Sequence, residues 1–491
     1  MSTFMSPIKS ERALIAAVFV ALLAVLVAGC GGTSSSPTIY SITPSAFQAG
    51  VMDKDLTLTG TNFLPATTAT FAGVAHTVTY KSSTSLVLSL SASELETVRT
   101  AKIVVSNPAP GGGSASIDLP ILASYGTPLS RSQLAAGNQA RLQRLIDKGR
   151  KGQPVTLAAI GGSITEGALA SNSSHSYVRL VQAWWNTTFS QSTSTLVNAG
   201  IGATSSDYGS LRVKHDVIAK DPDLVIVEFA ANDSGGGAQA YGDAYEGLLR
   251  QLFNAPSKPA VLLLFMMQCP VWNAQDWQSA IGAHYDLPMV SYYDAMKPEL
   301  LSGRLQCSDI SPDATHPNDL GHAYVSQFVT QTLATAITHF PNGTAFSAIP
   351  ATPTPLRTDV FEFVSLVDGP GLNPSGNSGW IAKPGDALGD AGLQASTPGS
   401  TLDFDVKGSR ILLSHLMMNS ASAGTARVTV DGGNTKTLDA WFEDGWGNYR
   451  AMTLLASGLS NTTHRVHLEL LNSGRADNTF RVLALGAGGV H

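Results

Sequence analysis

Between residues 37 and 122 apolar and polar positions alternate in short runs broken by turn residues. Leu56-Thr57-Leu58-Thr59, Leu86-Val87-Leu88-Ser89-Leu90 and Lys102-Ile103-Val104-Val105 are examples. Period-two runs with β-branched residues predict a β-sandwich. From 129 to 151 the period lengthens. Leu142, Leu145 and Ile146 share one face, with Arg141, Arg144 and Lys148 around it. That spacing predicts a lead-in helix. From 154 to 340 five unbroken apolar runs, at 155–160, 195–197, 224–229, 260–266 and 288–291, are separated by helical patterns such as 177–185, 245–253 and 320–340. Unbroken runs suit strands covered on both faces, so this stretch predicts βαβ units around a parallel sheet. A linker, Ile-Pro-Ala-Thr-Pro-Thr-Pro at 349–355, follows. Alternation then returns at 401–406, 427–432 and 465–470, predicting a second sandwich or jelly roll.

One run belongs to none of these bodies. Residues 13–29 are small and apolar without a break, Lys9 and Arg12 precede them, and Val27-Ala28-Gly29-Cys30 ends them. This is the anatomy of an export signal. With Cys directly after Ala-Gly it resembles a bacterial lipoprotein signal. The resemblance implies cleavage before Cys30, lipid on its sulfur, and a membrane-anchored body outside the cytoplasm, in the periplasm or at the cell surface. The Gly/Ser/Thr stretch behind Cys30 then reads as a tether. An uncleaved membrane anchor is the alternative, since about 17 residues is the short limit of a spanning helix.

Composition narrows the classes. Only 13% of the 491 residues are charged, against roughly 25% in a typical soluble domain. Thirty Lys and Arg against 36 Asp and Glu give a net charge of −6. Without a basic excess, nucleic acid is excluded as a partner. One apolar run excludes a polytopic membrane protein. Of three cysteines, Cys269 and Cys307 are left for the body. In an oxidising compartment they are a possible disulfide; two free buried thiols are the other reading. No Cys-x-x-Cys spacing suggests a metal, and none is expected.

The chemistry sits near the ends of the predicted strands, where open α/β sheets carry their sites. Ile160-Gly161-Gly162-Ser163-Ile164-Thr165-Glu166-Gly167 follows the first. Val197-Asn198-Ala199-Gly200-Ile201-Gly202-Ala203 closes the second. Glu228-Phe229-Ala230-Ala231-Asn232-Asp233 follows the third, and Asp313-Ala314-Thr315-His316-Pro317-Asn318 follows the fifth. A serine hydroxyl is a weak nucleophile at neutral pH and needs a base. Histidine has the pKa range for that work. Asp313 lies three residues before His316, a spacing that in a helical turn places both side chains on one face.

These four blocks, in this order, resemble the SGNH (GDSL-type) serine hydrolases over about 154–340. The resemblance implies a three-layer α/β sandwich with a flavodoxin-like parallel sheet. It makes Ser163, His316 and Asp313 a catalytic triad. It places oxyanion donors at the N–H of Ser163, the N–H of Gly202 (with Ala203 as the one-residue shift) and the side-chain amide of Asn232, and it requires no cofactor. Gly162 stands where the family commonly has Asp, and Ala230 where it commonly has Gly. Asp233 is expected to shape its loop, Glu166 to be solvated, His322 to cap or pack, and His175 and His215 to lie at the surface.

Ile42-Thr43-Pro44-Ser45, Leu58-Thr59-Gly60-Thr61-Asn62-Phe63 and Val104-Val105-Ser106-Asn107-Pro108 resemble an IPT/TIG immunoglobulin-like module. The last segment resembles the accessory β-domains of carbohydrate-active esterases. Its Trp380, Trp441 and Trp446 could stack on sugars, although large aromatics more often pack in a core. The predicted organisation is therefore a signal (1–29), a tether (30–36), an Ig-like domain (37–122), a linker with a lead-in helix (123–152), the hydrolase (153–341), a Pro/Thr linker (342–356) and a C-terminal β-sandwich (357–491). The function implied is an exported serine esterase acting on acyl, foremost O-acetyl, esters of carbohydrate. The alternatives are a lipase-, phospholipase- or thioesterase-like acyl hydrolase and a non-catalytic binding lipoprotein.

Overall fold

In a computed structural model the chain is described over residues 36–49, 54–97, 99–109, 112–122, 126–302, 304–385, 390–444 and 448–491. The signal segment, Cys30 and Trp446 lie outside the described residues. The chain divides into two compact units, 1–124 and 125–491.

The first unit is two facing sheets. One has the strand order Thr38–Thr43, Lys54–Thr61, Ser85–Leu90, Val78–Ser82. The other runs Phe47–Gln48, Ser114–Leu122, Arg99–Ser106, Thr68–Phe71, Val74–His76. The period-two pattern is the cause. Leu56, Leu58, Leu86, Leu88, Ile103 and Val105 all point inward and are fully buried, together with Phe63 and Phe71.

In the second unit a six-stranded sheet runs in the order Gln133–Ala135, Met289–Ser291, Ala260–Phe265, Leu224–Glu228, Val155–Gly161, Ser194–Gly200. All five predicted strands are present and mutually parallel. Every residue of Leu224–Glu228 and Ala260–Phe265 is buried, which is why those runs show no alternation. The region read as one lead-in helix differs. It forms a short helix Gly126–Ser132, an antiparallel edge strand Gln133–Ala135 and a helix Ala140–Arg150 that buries Leu142, Leu145 and Ile146. The break comes at Gly137, with φ +57°, where a Cβ would stand 2.2 Å from the Leu287 carbonyl carbon. No side chain fits this approach to the neighbouring turn.

The C-terminal sandwich pairs two sheets. One contains Ile381–Lys383, Gly392–Ala395, Phe480–Gly488, Arg410–Met417 and Tyr449–Ala456, with Val364–Asp368 paired to Phe480–Gly488. The other contains Gly376–Ser378, Thr401–Lys407, Thr463–Leu471, Thr425–Val430 and Asn434–Asp439. Trp380 is buried in its core and Trp441 packs partly buried against it. Residues 342–355 form no helix or strand, and the chain beyond them binds tightly to the hydrolase layer. Glu246, fully buried on helix Gly237–Asn254, accepts the backbone N–H groups of Leu356 (2.6 Å), Arg357 (2.8 Å) and Thr358 (3.0 Å) and the Tyr285 hydroxyl (2.7 Å). Arg250 pairs with Glu362, while Arg357 and Arg410 both reach Asp243. Leu211, Ala244, Phe361 and Leu412 close an apolar seam between the layers.

Candidate active site

Strand Val155–Gly161 ends at Gly162, the N-cap of a one-turn helix, Ser163–Glu166. Ser163 occupies the first helical position, where an N–H has no carbonyl one turn earlier to bond. Gly162 lies hard against the Asn232 side chain. A Cβ there would lie 2.3 Å from Asn232 Oδ1 and 3.2 Å from its Nδ2. With Gly at 162 the Asn232 amide packs directly against the nucleophile's turn.

Ser163 Oγ is 2.7 Å from His316 Nε2, and His316 Nδ1 is 2.6 Å from Asp313 Oδ2. A carboxylate only accepts, so Nδ1 carries the ring proton and Nε2 is left to accept from the serine. The Asp-to-His relation is not the helical turn that an i, i+3 spacing would also fit. Asp313 Oδ1 instead accepts the N–H groups of Thr315 (2.9 Å) and His316 (2.7 Å), with Ala314 in the left-handed region at φ +66°. This side-chain-closed turn competes successfully with helix. Burial alone would raise the Asp313 pKa, but the bonds from His316 and Thr315 outweigh it and hold the carboxyl below the usual range. The true helix starts later, at Asp319–His339. Asn318 caps it by accepting the Gly321 N–H, and its amide donates to the Asp309 carbonyl.

The second block stands opposite. A Cβ on Gly202 would come within 3.1 Å of Glu166 Oε2 and 3.8 Å of Ser163 Cβ. The next residue, Ala203, has φ +54°, a conformation costly for a side-chain-bearing residue. Gly202, Ala203 and Asn232 line one pocket with Ser163, Asp313 and His316.

Several supports escape a reading of the sequence. Arg212 is buried, and its guanidinium donates to the carbonyls of Ala199 (2.8 Å) and Gly161 (3.1 Å), clamping the ends of two site-bearing strands. Asp216 pairs with it at 2.9 Å. The only signal in the sequence is an arginine inside a helix otherwise facing the core. Asn198 donates to the Thr165 carbonyl, tying the second block to the nucleophile's helix. Thr165 Oγ1 donates to Glu228 Oε2 at 3.0 Å and lies 2.9 Å from the Tyr177 hydroxyl. Burial pushes the Glu228 carboxyl up to about 7, against the lowering bond from Thr165. Asp233 shapes its loop, as expected: it accepts the Ser206 N–H and the Gln278 amide, and burial pushes it up to about 8.

His322 packs. It accepts the Tyr177 N–H at Nδ1 and donates from Nε2 to the Ala168 carbonyl. His175 is half-exposed, bonded to Asp319, and His215 is exposed. Glu166 is exposed, yet it lines the pocket. Cys269 and Cys307 are unbonded and partly buried. Among the described residues no group of three or more His, Cys, Asp or Glu could hold a metal ion.

The pocket, about 1490 Å³, is walled on one side by the hydrolase layer and on the other by the C-terminal sandwich. That second wall includes Asp368, Asp390, Asp444, Asn448, Tyr449 and Arg450. Arg450 lies over the Tyr208 ring, 5.0 Å from its centroid, and so bridges the two layers.

Two family models match the chain. The GDSL-like lipase/acylhydrolase family matches residues 159–324, and the IPT/TIG domain matches residues 37–119. No curated protein matches. Among solved structures, the chain is similar to a two-domain esterase (CEX) active on acetylated mannans, with 31% identity and a TM-score of 0.69, over 74% of this chain and 99% of that one. The same esterase co-crystallized with mannopentaose gives 30% identity and a TM-score of 0.68, over 74% and 98%.

Proposed function

The chain belongs to the GDSL-like lipase/acylhydrolase family and is a carboxylic ester hydrolase, and from that premise we propose that it is an exported esterase removing O-acetyl groups from a polysaccharide. In this reading Ser163 Oγ attacks the acetyl carbonyl carbon while His316 Nε2 takes its proton. Asp313 holds the ring tautomer and stabilises the imidazolium. The N–H of Ser163, an N–H of the Gly202-Ala203 turn and the Asn232 amide face the developing oxyanion. Collapse expels the sugar oxygen, which takes the proton from His316. A water activated by the same histidine then releases acetate and restores Ser163.

The observation that carries the substrate class is the likeness, over both the hydrolase layer and the C-terminal sandwich, to an esterase active on acetylated mannans. The pocket supports it. Its far wall sets the carboxylate, amide and guanidinium groups of Asp368, Asp390, Asp444, Asn448 and Arg450 beside Val364, Leu366 and Tyr449, a mixture that can pair with sugar hydroxyls. Export rests on the segment before Cys30, and the anchor would be lipid on that sulfur. Mass spectrometry of the membrane fraction should find the chain starting at a lipidated Cys30.

The deciding assay compares wild type and Ser163→Ala on acetylated mannan, acetylated xylan and p-nitrophenyl esters of rising chain length. Acetate release should be confined to short acyl groups and lost in the variant, whose thermal unfolding should match wild type. Turnover by Ser163→Ala, or a preference for long chains, would overturn the reading.

A further inference from the structure

The loops that carry the site hold a hairpin at its rim. After strand Ala260–Phe265 the chain turns back on itself over 268–272, where the N–H of Gln268 donates to the Trp272 carbonyl (2.8 Å) and the N–H of Trp272 to the Gln268 carbonyl (2.9 Å). Two residues that exchange both bonds stand directly opposite one another. Their side chains leave the ribbon on the same face, with Cβ atoms about 5 Å apart. Gln268 lines the catalytic pocket. Its backbone groups are both spent in the hairpin, and its carboxamide makes no hydrogen bond to the described residues. Trp272 therefore projects beside an unspent amide at the pocket's edge.

Trp272 is 67% exposed. Trp185 and Trp380 are buried, and Trp184, Trp277 and Trp441 are partly so, which leaves Trp272 the one exposed tryptophan among the described residues. Its ring stacks on no aromatic or cationic side chain there. An indole displayed in this way offers a large apolar face that gains by being covered. The hairpin that displays it is anchored at both ends. The Cys269 N–H donates to the carbonyl of Ala314 (2.7 Å), which lies between Asp313 and His316. The Ala274 N–H donates to the carbonyl of Ala230 (2.8 Å), two residues before Asn232. The indole's support is thus tied to the turn of the base and to the loop of the Asn232 amide, so its place relative to Ser163 is set before anything binds.

We propose that Trp272 and Gln268 form a sugar subsite of the esterase, with a pyranose unit of the ester-bearing glycan chain stacked on the indole and one of its hydroxyls bonded to the Gln268 amide. The proposal rests on the polysaccharide reading of the site. A pyranose has an apolar face of C–H groups and a rim of hydroxyls. The face matches an aromatic ring, whose π surface is negative. The rim needs a group that both donates and accepts, as a carboxamide does. An acyl chain has no such rim, so the pair selects for the alcohol half of the ester while Ser163 deals with the acyl half. The stacked unit is remote from the reacting carbonyl and is held equally in ground and transition states. Its loss therefore acts on KM rather than on kcat.

The test measures binding and turnover separately. In the Ser163→Ala background, calorimetric titration with unacetylated manno- and xylo-oligosaccharides should register binding of the preferred sugar. Trp272→Ala should weaken it about tenfold and Trp272→Phe should restore most of the loss. Gln268→Ala should weaken it about fivefold. On acetylated mannan, Trp272→Ala with Ser163 intact should raise KM about tenfold at a kcat near wild type. The variants should melt with wild type, since the hairpin's bonds are made by backbone groups. Equal affinity with and without the indole, or binding of neither oligosaccharide, would overturn the subsite. A loss on p-nitrophenyl acetate as large as that on the polymer would overturn it too, because the hairpin would then act only as a brace for the catalytic turn. The titrations need no ester hydrolysis, so failure of this proposal is distinguishable from failure of the esterase reading.

Discussion

Replacing Glu246 by Gln tests whether the C-terminal sandwich is part of the enzyme. Each carboxylate oxygen of Glu246 accepts two donors: Oε1 takes the Leu356 N–H and the Tyr285 hydroxyl, and Oε2 takes the N–H groups of Arg357 and Thr358. A carboxamide keeps one oxygen. With its NH₂ toward Leu356 and Tyr285, where the Tyr285 hydroxyl can turn to accept from it, one part-buried N–H loses its acceptor. Such a loss costs about 1–3 kcal/mol, which puts the variant at about 2 kcal/mol. For a body of this size that is a fall of about 3 °C in unfolding midpoint. The captured stretch leads directly into strand Val364–Asp368, and Val364, Leu366 and Asp368 line the pocket. Loosening it should raise KM for acetylated polysaccharide while leaving kcat on p-nitrophenyl acetate near wild type. The assays are a thermal melt and Michaelis curves on both substrates. An unchanged melt with unchanged polymer KM would refute the claim that Glu246 holds the wall.

Asp313→Asn should lower kcat by about 10³–10⁴-fold, since the imidazole loses the partner that fixes its tautomer; steady-state rates check it, and a loss under tenfold would refute the role. Asn232→Ala should lower kcat by about 10²–10³-fold with little change in KM, as expected for a donor that acts on the oxyanion. Glu228→Gln carries a pH signature. The folded carboxyl titrates at about 7, above its unfolded value of 4.5, so the folded chain keeps a proton that the unfolded chain releases. The Glu228 contribution to wild-type stability therefore falls as pH rises from about 4.5 to about 7, by on the order of 3 kcal/mol, and is level above that. The variant lacks this titration. Its midpoint relative to wild type should climb across that window, and melts showing a pH-independent difference would contradict the assignment.

The five central strands are legible because burial on both faces leaves unbroken apolar runs, as at Leu224–Glu228. The Ig-like sheets are legible for the opposite reason, with Leu56 and Leu58 inward and threonines between them. Ser163, Asp313 and His316 stand out because their chemistry demands particular residue types at strand ends, and the structure brings all three together. What the pattern hides is long-range. The edge strand Gln133–Ala135 pairs with residues more than 150 positions away, and three residues are too few to show a period. Arg212 carries no local mark of the two carbonyls it holds. The pocket's second wall is invisible for the same reason, since Arg450 and Ser163 come to line one pocket only after two domains have packed. The form of the turn at Asp313 is hidden because an i, i+3 spacing fits a helix and a side-chain-closed turn equally well.

That turn has an evolutionary corollary. Asp313 divides its two oxygens, one closing its own backbone and one holding the imidazole. Natural selection sees the first duty even when the second has lapsed. Descendants of this lineage that gave up hydrolysis could shed Ser163 at little structural cost, yet would be held to aspartate at 313 to keep the loop. In such silent relatives the aspartate should outlast the nucleophile, and its presence alone would be a poor witness to activity.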